Sequence, residues 1–385
     1  MSDTDLLDAA QTLGDAFSMR SEEIEAARRI PPDVSAQMAD AGFFAMGVPS
    51  DLGGRETPPP ISARVFERLA QGDAACAWVA FIGTTAGTSL AAVSEDAGRD
   101  IFAHPSTLVT GVFAPTGEAQ VVEGGFRVTG RWQWGSGSEN AKWITGGCRL
   151  VNKGEPLLDH KGRPRTHACF FKAEDVEFID TWHSSGLCGT GSLDYCVHDL
   201  FVPEAHVAGL QTPARPAVPP LYAFPSFTFL ALGIGAVCLG TARAAIDELV
   251  EVATAKKRVG SSRRIAEGAY AQMRLAECEA SLRSARAFFY DAIDAAWADA
   301  SSGKRVSVDQ RRELRLATTH AVRASAEVVN RMYELGGGSS VYSSSRLQRC
   351  FRDVHVATQH IMVAPSTLET VGRLYFGLEA NTAML

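Results

Sequence analysis

VVEGGFRVTGRWQW (121–134) alternates apolar and polar side chains on both sides of Gly124-Gly125. Period two around a glycine pair is hairpin chemistry, because each strand then turns one face to a core and the other to water. Upstream the period differs. Leu6, Leu7, Ala10, Leu13 and Phe17 recur at helical spacing, as do Ile24, Ala27 and Ile30, and later Val65, Leu69 and Ala74. Breaks fall at Pro31-Pro32, at Pro49 with Gly53-Gly54, and at Pro58-Pro59-Pro60. Downstream, short strand-like runs at 143–150, 167–173, 176–182 and 194–202 predict an antiparallel barrel or sandwich, closed by the proline-rich link 213–225. From about 226 the helical period returns in four long candidates, 226–257, 266–299, 307–335 and 346–378, whose lengths suit a four-helix bundle. The expected class is therefore α+β: an N-terminal helical domain (1–107), a β domain (108–212) and a C-terminal helical bundle domain (213–385).

The 385 residues are 46% hydrophobic and 21% charged, a globular balance rather than a disordered one. Thirty-seven basic against 44 acidic side chains give −7, the wrong sign for non-specific nucleic-acid binding. Eight cysteines form no C-x-x-C pair and no ladder with histidines, so reduced thiols, a cytoplasmic compartment and no metal site are expected. The acidic opening MSDTDLLDAAQ reads as no signal peptide. Residues 216–242 carry no charge, but four early prolines leave only about 17 helix-compatible residues, too few for a comfortable span, so a buried core helix is expected and no membrane contact. Within that stretch FTFLALGIGAVCLG (227–240) resembles a dinucleotide loop. Its third glycine comes two positions late and no acidic strand end follows, so the glycines read as close-packing positions between helices. The basic run KKRVGSSRR (256–264) reads as a solvated helix end, with phosphate binding through Arg258 as the functional alternative. His355 and His360 lie five apart and do not share a helical face, so they cannot chelate one ion.

Five segments in order resemble the acyl-CoA dehydrogenase superfamily: GFFAMGVPSDLGG (42–54), GGFRVTGRWQWGSGSENAKW (124–143), WHSSGLCGTGSLDYCVHDLFVPE (182–204), ARAAIDELVEVATAKKR (242–258) and ELGGGSSVYSSSRLQRCFRDVHVATQH (334–360). The resemblance implies a flavin held between the β domain and the bundle, in a homotetramer. Many dehydrogenases of the superfamily take their catalytic glutamate from an R-D-x-x-x-x-x-x-Y-E-G run. Here Arg352-Asp353 opens that run, His360 stands at the tyrosine and Ile361 at the glutamate, and isoleucine accepts no proton. The pattern is closer to the two-component flavin monooxygenases of the same fold, such as the oxygenases of p-hydroxyphenylacetate and dibenzothiophene. These are implied to take reduced flavin, FAD or FMN, from a separate reductase, form a C4a-hydroperoxide and hydroxylate a small apolar or aromatic substrate.

Carried over onto this chain, the resemblance implies His360 and Ser136 as catalytic residues. It implies Trp134, Ser136, Trp182, Thr190, Ser192 and Arg258 around the flavin, with Arg258 reaching its phosphate from a neighbouring subunit. Three positions depart from the pattern. Thr85 stands where phenol hydroxylases carry a second histidine, Cys188 where an arginine is usual, and Ala269 where many dehydrogenases have a glutamine near the adenosine. The alternatives are an acyl-CoA dehydrogenase with its base displaced to Glu248 or Glu369, and a non-catalytic flavin-binding relative. His360 itself is expected on a buried helical face with Val356, Ala357, Ile361 and Ala364, without a partner from its own helix and with a proton exchangeable near pH 6.5.

Overall fold

The structure is a computed structural model and describes residues 2–209, 219–257 and 263–385. Six helices come first: α1 (Asp3–Ser18), α2 (Ser21–Ala27), α3 (Pro32–Asp40), α4 (Pro59–Gly72), α5 (Ala74–Thr88) and α6 (Glu95–Ile101). Seven strands follow: β1 (Val109–Val122), β2 (Gly125–Gly135), β3 (Trp143–Asn152), β4 (Glu155–Pro156), β5 (Thr166–Lys172), β6 (Glu177–Ile179) and β7 (Leu193–Pro203). The chain ends in α7 (Pro220–Ala223), α8 (Ser226–Ala255), α9 (Ala269–Ser301), α10 (Val308–Gly336), α11 (Arg346–Ala357) and α12 (Ser366–Tyr375).

Helix α5 starts where Asp73 accepts hydrogen bonds from the Ala75 and Cys76 amides, both at 3.0 Å, and so satisfies two of the free amides of a first turn. It is apolar on all sides and packs between α4, α8 and β1. The first half of α8, Ser226 to Ala242, is likewise uncharged and buried for most of its length. A Cβ at Gly233 would lie 2.5 Å from the Phe81 ring, and one at Gly240 2.2 Å from the Glu67 carbonyl oxygen. The glycines of 227–240 are therefore close-packing positions, Gly233 for α5, Gly240 for α4 and Gly235 for Phe289 of α9 and Thr318 of α10, as their spacing suggests. Both helices are long and apolar enough to cross a membrane, but most of each is buried in the protein's own core. The buried core helix expected in the uncharged stretch 216–242 is accordingly found in α8.

The sheet runs β4-β3-β1-β2-β7-β6, with β5 also paired to β3. The β1–β2 hairpin turns at Glu123-Gly124, where Val122 pairs with Gly125 and Gly124 adopts φ +77°. One pairing departs from the antiparallel expectation. β1 and β3 run parallel, because Ser136–Lys142 carries the chain back across the end of the sheet instead of turning directly. Along β2, Phe126, Val128 and Trp132 are buried on the inner face, and Trp132 stacks on Tyr195 at 5.3 Å.

The fourth long helix expected over 346–378 is two helices. α11 ends at Ala357, a 3₁₀ turn covers Ile361–Val363, and α12 begins after Pro365. Proline excludes the preceding residue from helical conformation, and Ala364 is extended at ψ 153°. His360 therefore lies in the break, not on a continuous buried helix.

Candidate active site

A buried row of hydroxyls runs beneath the end of the β2 hairpin. The Thr190 hydroxyl donates to the Leu187 carbonyl at 2.8 Å, Thr190 and Ser192 are 2.7 Å apart, Ser192 and Ser136 are 2.7 Å apart, and the Trp78 indole N–H donates to Ser136 at 3.1 Å. A hydroxyl has one proton, so the first bond fixes the others. Ser192 donates to Thr190, Ser136 donates to Ser192, and Ser136 accepts from Trp78. The free valence left on Ser136 is thus a lone pair. Ser136 therefore offers an acceptor.

Trp134 lies two residues beyond the buried Trp132 but faces water, 68% exposed. Strict alternation would put both on one face. The β2–β7 register slips between Trp132 and Gly135, and Trp134 adopts φ +65°, a conformation costly for a residue with a Cβ. The slip turns one indole into the core and leaves the other exposed on the residue whose carbonyl accepts from the Ser136 amide at 3.0 Å. Trp182 joins from the far side: its indole N–H is shared between the Leu187 and Cys188 carbonyls, each at 3.2 Å.

Charged groups hold the turn 184–192 from behind. The Leu187 amide donates to the Asp353 carboxylate at 2.6 Å, and Arg352 donates to the Ser185 carbonyl at 2.6 Å. Arg352 also pairs with Glu25 of α2 at 2.6 Å, and Arg349 reaches the same carboxylate at 3.1 Å. Arg28 donates to the Trp182 carbonyl and pairs with Asp180. A Cβ on Gly186 would lie 2.4 Å from the Arg352 carbonyl, so glycine lets the turn lie directly on α11. Burial pushes the Asp353 carboxyl up to about 7, with the Leu187 amide pulling the other way.

His360 completes the cluster. Its ring makes an edge contact with Trp78, centroids 6.1 Å apart, and its Nδ1 accepts from the Met362 amide at 3.2 Å. The residue keeps some exposed surface, yet its ring sits in dry surroundings. That burial, with the nearby Arg315 cation second, pulls its pKa down to about 4. The imidazole is neutral at working pH. With Nδ1 occupied as an acceptor, the ring proton belongs on Nε2 by the logic of the hydrogen-bond network. The expected proton exchange near 6.5 is corrected accordingly: His360 is a fixed donor. Arg315 is almost wholly buried and donates to the Met362 and Met384 carbonyls, so it also pins the turn that caps His360.

Six of the seven sequence-predicted residues, His360, Ser136, Trp134, Trp182, Thr190 and Ser192, thus gather around Trp78 and the turn 184–192. Arg258 lies outside the described residues. Trp78, Asp353 and Arg315 had no assigned role in the sequence. The lone indole in the small-residue helix 74–88 and the Arg352-Asp353 pair were the available signals, since Arg315 acquires its partners only through folding. Thr85 donates to the Phe81 carbonyl of its own helix at 2.9 Å and offers no base. Cys188 is neutral there, its thiol pushed up by burial. Of the displaced bases, Glu369 is exposed, whereas Glu248 faces Arg346 and Arg349 from α8. The exposed Trp134 face, the Ser136 lone pair and the His360 N–H suit a flat ring with polar edges, which is what a flavin presents.

The acyl-CoA dehydrogenase N-terminal domain model matches residues 4–102, and the acyl-CoA dehydrogenase C-terminal domain model matches residues 232–365. The chain is 35% identical to an indole-3-acetate monooxygenase of Pseudomonas putida over 93% of its own length and 90% of that protein. It is 30% identical to the oxygenase component of an FADH2-dependent resorcinol hydroxylase from Rhizobium, over 95% and 93%. Among solved structures, the 3-HSA hydroxylase of Rhodococcus sp. RHA1 superposes with a TM-score of 0.90 at 26% identity, over 99% of both chains.

Proposed function

The chain belongs to the acyl-CoA dehydrogenase family, and from that premise we propose that it is the oxygenase component of a two-component flavin-dependent monooxygenase. One observation carries the choice over a thioester dehydrogenase. The cluster around Trp78 offers a neutral histidine and three hydroxyls, whereas the position expected for a carboxylate base is Ile361, 66% exposed and without a proton-accepting atom.

Reduced FAD or FMN, supplied by a separate reductase, would activate O₂ and deliver one oxygen atom to a small aromatic substrate. The protein's part is to hold and shield. Trp134 gives the ring a flat face, Ser136 accepts from a ring N–H, and Trp182, Thr190 and Ser192 fix the turn that carries those groups. His360 donates from Nε2 to developing negative charge on oxygen, and a neutral donor does so without a competing proton release. The buried hydroxyl row and the dry surroundings of the His360 ring keep water from that side of the site, where it would divert the oxygen to hydrogen peroxide. Arg258 is assigned to the flavin phosphate, as arginine's bidentate fork suits.

Indole-3-acetate is the first substrate to try, on the strength of the 35% identical relative that carries its name. The reading includes a cytoplasmic homotetramer. The free cysteines support the compartment, and the exposed Tyr375, Phe376 and Leu378 at the end of the bundle offer apolar area for subunit contact. Light scattering at micromolar concentration checks the assembly; a monomer would remove it. For the activity, the protein is mixed with chemically reduced FAD or FMN, indole-3-acetate and air. Substrate loss with a hydroxylated product is the expected result. Anaerobic bleaching of bound oxidised FAD by an acyl-CoA, with no aerobic product from any aromatic acid tried, would reverse the choice.

A further inference from the structure

On the outer face of the sheet, well away from the hydroxyl row, Glu177, Cys196 and His198 bring three unlike ligand atoms together. Cys196 and His198 are alternate residues of β7 and so point to the same side, and Glu177 of the edge strand β6 is the cross-strand partner of Cys196. Their ligand atoms all lie within 4.8 Å of one another. Cys196 Sγ is 3.4 Å from His198 Nε2, and His198 Nε2 is 3.5 Å from a Glu177 carboxylate oxygen. Metal–ligand distances of ~2.0–2.3 Å at a tetrahedral angle put neighbouring ligands about 3.4–3.6 Å apart, which is what these two edges measure.

We infer that Glu177, Cys196 and His198 form a binding site for a zinc-class divalent cation, with water at the fourth position. A thiolate, an imidazole and one carboxylate select Zn²⁺ or Co²⁺ over Mg²⁺ and Ca²⁺, which prefer all-oxygen sites. Binding replaces the thiol proton, which passes to solvent, and leaves the site electrically neutral. The neighbouring charges do not oppose this. Arg131, opposite Cys196 on β2, is bonded to Asp194 at 2.8 Å, and those two charges cancel. The buried thiol supplies the inner ligand, while Glu177 and His198 have side chains 65% and 73% exposed and give the ion a direct path from solvent. An ion here would staple the three-residue strand β6 to β7. The site stands on this geometry and is independent of the oxygenase reading.

The test uses the full-length protein freed of metal by dialysis against a chelator, titrated with Co²⁺ and then Zn²⁺. The expected result is one Co²⁺ per chain with a thiolate charge-transfer band and the visible bands of tetrahedral cobalt, all displaced by Zn²⁺. Zn²⁺ should also raise the melting temperature, and Mg²⁺ should not. His198→Ala and Glu177→Gln alter exposed side chains and leave the buried thiol in place. Each should weaken Co²⁺ binding by at least about 100-fold, the upper end of what losing even an outer partner costs. Absence of the cobalt bands in the wild-type protein, or bands of undiminished affinity in His198→Ala, would overturn the proposal.

Discussion

The turn 184–192 is held from two sides by opposite kinds of chemistry. Behind it, Arg352, Arg349, Arg28, Glu25, Asp180 and Asp353 bind it to α2 and α11 through charge. In front, Thr190, Ser192, Ser136, Trp78 and His360 carry no charge at all at neutral pH. The charged side fixes backbone position, since an ion pair holds a loop whatever the reaction does. In the proposed function the neutral side faces the reaction, where a resident charge would attract water and compete with charge developing on the substrate. The expectations below are ways to break that division.

The largest effect belongs to His360. His360→Ala should fold and bind flavin but lose product formation by roughly two to four orders of magnitude, as expected for a lost donor to developing oxyanion charge. Oxygen uptake should continue, with hydrogen peroxide in place of product, measured by a peroxidase assay. His360→Gln keeps an N–H donor that cannot titrate, so it should recover part of the product; recovery no better than alanine would mean that ring shape, not donation, is what matters.

Next comes Ser136. Ser136→Ala leaves the Trp78 indole N–H without its acceptor and the Ser192 oxygen without its donor in a dry site, and should cost about 1–3 kcal/mol in denaturant unfolding as well as weaken flavin binding. Ser136→Thr keeps the hydroxyl and should lose less.

The third compares the two sides through pH. Asp353, raised to about 7 when folded, binds a proton more tightly folded than unfolded, so its contribution falls as pH rises from about 4 through 7. His360, lowered to about 4, is the opposite case: its contribution is complete above about 6.5 and is lost as pH falls toward 4. Between about 4 and 6.5 the two slopes oppose each other. Asp353→Asn should therefore tilt the stability profile upward with pH, and His360→Ala should tilt it downward, each by at most about 1.4 kcal/mol per pH unit. Parallel profiles for the two variants would contradict the assignment of opposite shifts.

The smallest effect is expected at Thr85, whose hydroxyl bonds its own helix. Thr85→Val should leave the rate of product formation within about a factor of three, since only one net hydrogen bond of about 1 kcal/mol is removed. A much larger loss would make the helix α5 hydroxyl part of the reaction.

Much of this was legible in the sequence, and the failures have physical causes. The hairpin at Gly124, the close-packing glycines of α8 and the residues of the hydroxyl row follow from period, spacing and family resemblance, all of which are local. The opposite fates of Trp132 and Trp134 were not legible, because a register slip exists only relative to β7. The break at His360 was signalled by Pro365, and a continuous helix over 346–378 overlooked it. The lowered pKa of His360 comes first from burial and second from Arg315, 45 positions earlier, and no spacing rule shows either. The Glu177–Cys196–His198 cluster was likewise invisible, since its carboxylate comes from a different strand than its thiol and imidazole.

The source of the inserted oxygen tests the central reading most directly. Wild-type protein, reduced flavin and indole-3-acetate under ¹⁸O₂ should give a product carrying one ¹⁸O atom, while His360→Ala should release the label as hydrogen peroxide. Product bearing oxygen from water, or a desaturated thioester formed without O₂, would contradict the account.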